Sequence, residues 1–109
     1  MTTYVRALAR CKKEDKSDYL LHFDVRLQDG RISRRQPVYG WQHGFGDSMP
    51  FILLSDGQVD FGTRWGPDRF GQTDVLDVAM AIGSELRWWG HDWNETYSIV
   101  SIKSLEELV

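Results

Sequence analysis

Between Phe51 and Gly62 two short apolar runs flank an Asp-Gly pair, and this stretch restricts the fold more than any other. Asp56-Gly57 can supply the positive φ angles that a two-residue type I′ turn demands. Such a turn sets Leu54 opposite Val59 and Ile52 opposite Phe61, four side chains on one face of a hairpin. Leu53 and Asp60 then fall on the other face. The hairpin reads as the centre of a small antiparallel sheet, on which the remaining apolar segments must pack.

Other strands show by period-two alternation. In Tyr4–Cys11, Val5, Ala7, Ala9 and Cys11 share one face. In the next strand Leu21, Phe23, Val25 and Leu27 oppose Leu20, His22, Asp24 and Arg26. Charged residues 12–18 make the loop between them. Asp29-Gly30 is a second type I′ candidate and would set Leu27 opposite Ile32. Arg31–Arg35 follows as a poorly buried edge strand, ended by Pro37.

Alternation fails in 38–49, where Gly40, Gly44 and Gly46 interleave with Trp41, His43 and Phe45, and again in 63–72. Both read as irregular. Residues 74–89 fit either one helix or a short helix near 74–82, stopped by Gly83 and followed by a strand, Glu85–Trp89. The second reading is preferred, because β-rich Tyr97–Ile102 needs a partner and Trp88-Trp89 suits a strand. Ser104–Leu108 is a tail or a helical turn. The expected fold is mainly β (a β-rich α+β chain) of six or seven strands, its curved antiparallel sheet forming a barrel or sandwich with one short helix.

At 109 residues the chain is expected to form a single domain, 1–109. Five Trp, five Phe and four Tyr argue for a packed globule. No apolar run in the sequence is long enough to span a bilayer. With one cysteine, Cys11, and no signal peptide, a cytoplasmic protein without membrane contact is expected. Residues 1–40 carry nine Lys or Arg against five Asp or Glu, and residues 41–109 carry four against eleven. The second part is therefore strongly acidic.

Chemistry is sparse. His22, His43 and His91 lack ligand spacing, so no metal is expected. No cofactor motif is present. His22 and Asp24 share a strand face, which permits an acid–base pair, yet no catalytic constellation is evident. Lys12, Lys13, Arg31, Arg34 and Arg35, near Tyr39 and Trp41, suggest a nucleic-acid groove, but overall acidity opposes it. The expectation is a non-enzymatic binding protein of immunity or inhibitor type, neutralising a protein partner. Trp41, Trp65, Trp88 and Trp93 would be its anchors, and Asp60, Asp92 and Glu95 its charged rim. The alternative is a β-barrel that binds a small molecule or carbohydrate, marked by two or more Trp faces around a concavity. A single-stranded nucleic-acid module, a small enzyme and a homo-oligomer assembled through exposed strands complete the set.

Overall fold

The computed structural model describes residues 2–35, 37–44 and 47–105. Phe45, Gly46 and the expected terminal turn beyond residue 105 lie outside them. The described residues form nine strands: β1 (Thr2–Cys11), β2 (Leu20–Gln28), β3 (Arg31–Ile32), β4 (Val38–Gly44), β5 (Asp47–Leu53), β6 (Gln58–Asp60), β7 (Phe70–Thr73), β8 (Glu85–Trp89) and β9 (Asn94–Ser104). Each pairs antiparallel with its neighbour in the order β1-β9-β8-β7-β6-β5-β4-β2, and β1 pairs with β2 to close the ring. The result is an eight-stranded antiparallel barrel in which closure removes the open edges. The two-residue β3 is a flap on β2.

The inward positions follow the expected alternation in β1 and β2. Val5, Ala7, Ala9 and Cys11 are buried, as are Leu21, Phe23 and Val25. Asp29 and Gly30 both take positive φ (54° and 80°), so the type I′ turn forms and Leu27 pairs with Ile32. In β9 the register shifts beside Val100, which is exposed, and Ile99 and Ile102 both pack on the core. A bulge of this kind also sharpens the bend that closure requires.

The Asp56-Gly57 hairpin forms in a different register. Gly57 has φ 89°, whereas Asp56 stays at negative φ, which rules out type I′. The Gly57 amide donates to Leu54 O (3.0 Å) and the Leu54 amide to Gln58 O (2.8 Å). The loop is therefore Ser55-Asp56-Gly57, three residues with glycine in the bulge position. Leu53 pairs with Val59 and Ile52 with Asp60. A one-residue slip exchanges the faces of a strand. Leu53 and Val59 enter the core, and Ile52 is 37% exposed. Nor is this hairpin central, since β5 and β6 share only a short ladder and the longest pairing joins β1 to β2.

Residues 38–44 and 47–49 lie in strands β4 and β5, contrary to the loop expected over 38–49. Glycine at inward positions conceals the alternation. A Cβ on Gly40 would lie 2.2 Å from His22 O and 2.6 Å from Phe51 Cζ, so that site admits no side chain. Gly71 in β7 makes the same kind of room, for Trp93 and Phe61. Edge-to-face rings fill the space so created: Phe51 lies 5.0 Å from Trp88, 5.7 Å from Phe23 and 6.2 Å from Phe61. Such pairs add to the burial of the rings themselves.

In place of the short helix near 74–82 stands one 3-10 turn, Val75–Asp77. Gly83, at φ 93°, precedes strand β8, which pairs with β9 as the preferred reading requires. The segment covers one end of the barrel. Val75, Leu76 and Met80 are buried there, the Met80 amide donates to Gly30 O (2.7 Å), and Arg34 pairs with Asp77. Up-and-down topology places the loops 12–19, 61–69 and 90–93 together at the opposite end.

Candidate functional site

Among the described residues that opposite end is open. A cavity of about 450 Å³ enters the barrel between its three described loops. Eight-stranded barrels are wide enough to hold side chains or one small ligand, and here side chains fill only part of the bore. Phe61 and Met49 form the inner wall. Tyr19, Trp65 and Trp93 form the sides, and Asp68 and Asp92 stand at the lip.

Trp93 folds back on its own turn, so close to Gly90 that a Cβ there would meet its indole at 2.3 Å. Trp93 also lies 6.4 Å from Phe61. Trp65 sits in the 3-10 segment Thr63–Asp68, whose Gly66 takes φ 54°. The Tyr19 ring lies over Gly44, where a Cβ would come within 3.1–3.2 Å. Gln42 spans core and cavity: it lines the cavity, and its Oε1 accepts a hydrogen bond from Trp88 Nε1 (3.1 Å). The core indole is thereby satisfied.

Glu95 lies in the wall, 5% exposed. A carboxylate at that depth needs partners. Lys16 and Lys13 supply them from the 12–18 loop, Lys13 Nζ at 3.2 Å from Oε2, and the Cys11 thiol donates to Oε2 at 3.6 Å. Burial pushes the Glu95 pKa up, but the lysine hydrogen bonds outweigh it and hold the group below its ordinary value. Burial also raises the Cys11 thiol, with the Glu95 charge adding to it, so Cys11 is not an activated nucleophile. Deeper, the Tyr97 hydroxyl is buried with no hydrogen-bond partner among the described residues.

The residues singled out from sequence separate into distinct groups. Trp65, Trp93, Asp92 and Glu95 converge on the cavity. Trp88 is 0% exposed and sits in the core, so it presents no binding surface. Its neighbour Trp89 points outward, as consecutive strand residues must. Trp41 lies on the outside of β4, 42% exposed and edge-on to His22 at 6.4 Å. Asp60 is engaged by Arg69 through two hydrogen bonds, 2.9 and 3.1 Å. Glu95 lies inside the wall and not on a rim, because its strand position faces inward opposite Trp88.

The acid–base pair does not assemble. Asp24 is held by Arg6 at 2.8 and 3.1 Å, and His22 packs against Trp41 and His43. Burial, with His43 and Arg6 nearby, lowers the His22 pKa. Of the basic set, Lys12 and Lys13 belong to the open end and Arg31, Arg34 and Arg35 to the covered end. Lys12, Lys13 and Arg34 are paired with Glu85, Glu95 and Asp77. Among the described residues no helix is long and apolar enough to cross a membrane.

Tyr19, Lys16, Gln42, Met49 and Phe61 complete the cavity without having stood out in the sequence as site residues. Their only shared signal is position, at or just beyond strand ends that meet at one rim of the barrel. Comparison with family models, curated proteins and solved structures finds no match to this chain.

Proposed function

We propose that this chain is a small non-enzymatic binding protein that holds a small organic molecule in the open end of its barrel. One observation carries the reading: a cavity of about 450 Å³ is walled by Tyr19, Phe61, Trp65 and Trp93 and edged by a few polar groups. Its volume lies in the range of small-molecule sites, which are largely apolar with a few placed polar groups. Two Trp faces around a concavity distinguish such a site from a flat protein-binding surface.

The inhibitor-type reading draws on a different observation, the outward stripe of Tyr39, Trp41 and Ile52 on β4 and β5, all exposed. Exposed aromatics of this kind serve as anchors in protein interfaces. A fragment screen by ligand-observed NMR separates the two, using Met49→Trp to fill the cavity and Trp41→Ala to strip the outer stripe. Fragments that bind the wild type should be lost with Met49→Trp and kept with Trp41→Ala. The opposite pattern, or no binding fragment, contradicts the small-molecule reading.

A further inference from the structure

We infer that the cavity selects an organic cation, a ligand with an apolar or aromatic body and one ammonium head. This rests on the small-molecule reading and names the chemistry of its ligand. Among the described residues the charge lining the cavity comes from one ammonium, Lys16, against three carboxylates, Asp68, Asp92 and Glu95, and Lys13 reaches Glu95 from outside the lining. Lys16 is already committed to Glu95. Asp68 and Asp92 are exposed at the lip and form no ion pair among the described residues. Among the described residues no unpaired lysine lines the cavity, so a ligand anion inside it would face these carboxylates, with Arg64 reaching only the outer Trp65 ring.

The rings point the same way. An ammonium over an aromatic face is attracted by the ring quadrupole within about 6 Å of the centroid. The chain's own cations already use the rings of this rim. Lys16 Nζ lies 5.5 Å from the centroid of Tyr19, and the Arg64 guanidinium lies 5.2 Å from that of Trp65. Rings and carboxylates together make the open end a place where positive charge settles. A sugar fits less well, because its many hydroxyls need a dense set of donors and acceptors, and most of this lining is carbon.

Lys16 follows as the internal competitor. Its ammonium occupies both the Glu95 carboxylate and the Tyr19 face, so a ligand cation entering deeply must share them or displace it. Removing that charge should strengthen cation binding, whereas for an anionic ligand it should weaken binding.

The test uses three probes on one scaffold: phenethyltrimethylammonium, 2-phenylethanol and 3-phenylpropionate. Each is titrated into the full chain by calorimetry, and near-UV circular dichroism checks the fold of every variant. The cation should bind about tenfold or more tighter than the alcohol, with the carboxylate weakest. Asp68→Asn combined with Asp92→Asn, both exposed positions, should weaken the cation roughly five- to tenfold and leave the alcohol unchanged. Lys16→Gln should tighten the cation. If the alcohol or the carboxylate binds as well as the cation, the charge assignment is overturned and the small-molecule reading stands. If the paired aspartate variant leaves cation affinity unchanged, the assignment is likewise overturned. If none of the three binds, the cation assignment fails, and the fragment screen above decides the broader reading separately.

Discussion

Truncating three neighbouring apolar side chains tests the register of the β5–β6 hairpin directly. Leu53 is 1% exposed and packs in the core, Leu54 is half-buried beside the turn, and Ile52 faces outward. Leu53→Ala removes a fully buried side chain and leaves a cavity among rigid aromatic neighbours, a change that costs about 2–5 kcal/mol. With little room for the barrel wall to collapse, about 3–4 kcal/mol is expected. Ile52→Ala loses only partial burial and should cost about 1 kcal/mol or less. Leu54→Ala should fall between them. Against a total stability of about 5–15 kcal/mol, every variant stays folded enough to measure. Urea unfolding followed by tryptophan fluorescence is the assay. With a slope near 1.5–2 kcal/mol/M, the Leu53→Ala midpoint should drop by about 2 M, with the slope unchanged. A type I′ register would reverse the order, with Ile52 and Leu54 costing most and Leu53 little. That order would refute the three-residue turn and the inward face built on it.

Three further outcomes follow from the core and the cavity wall. Gly40→Ala should destabilise by at least about 1–3 kcal/mol in the same assay, because its Cβ would strike the His22 carbonyl and the Phe51 ring; a neutral result would mean β4 does not approach β2 and β5 this closely. Tyr97→Phe should be neutral or stabilising by up to about 1–2 kcal/mol, since it removes a buried hydroxyl that has no partner among the described residues; a clear fall in Tm would show that the hydroxyl is satisfied. Glu95→Gln should cost about 1–2 kcal/mol at neutral pH, less than a fully enclosed pair, because both lysines can return to water. Lowering of the Glu95 pKa in the folded state makes its contribution complete above its ordinary value of 4.5 and lost as pH falls through the lowered value. Melting curves of wild type and Glu95→Gln should therefore converge below about pH 4.5, and a constant gap down to pH 3 would contradict the ion-pair account.

The strands legible in the sequence were those whose inward residues are carbon-rich. Val5, Ala7, Ala9, Leu21, Phe23 and Val25 declare a face by themselves, and the adjacent Trp88 and Trp89 divide between core and surface as strand geometry requires. β4 and β7 were hidden because Gly40, Gly44 and Gly71 occupy inward positions, where the missing side chain makes room for a ring from elsewhere in the barrel. No local pattern reports that need. The Asp-Gly signal located the hairpin but not its register, which turned on whether Asp56 as well as Gly57 adopts positive φ. At the open end, Trp65, Trp93 and Asp92 were visible as loop aromatics and loop acid. The depth of Glu95 was not, because charge in a sequence reads as surface until its partners, Lys13 and Lys16, are placed. Tyr19 and Gln42 meet through the β2–β4 pairing and reach Phe61, Trp65 and Trp93 only across the assembled barrel, a contact between segments far apart in the chain.

The most direct test of an organic cation in the open end is ¹⁹F NMR of protein labelled with 5-fluorotryptophan, titrated with phenethyltrimethylammonium. The five tryptophans sample the cavity wall, the core and the outer face independently. Binding in the cavity should shift the Trp65 and Trp93 resonances in a saturable way and leave Trp41 and Trp89 in place. Shifts confined to Trp41 or Trp89, or a spectrum that does not change at all, would contradict a cation site in the open end.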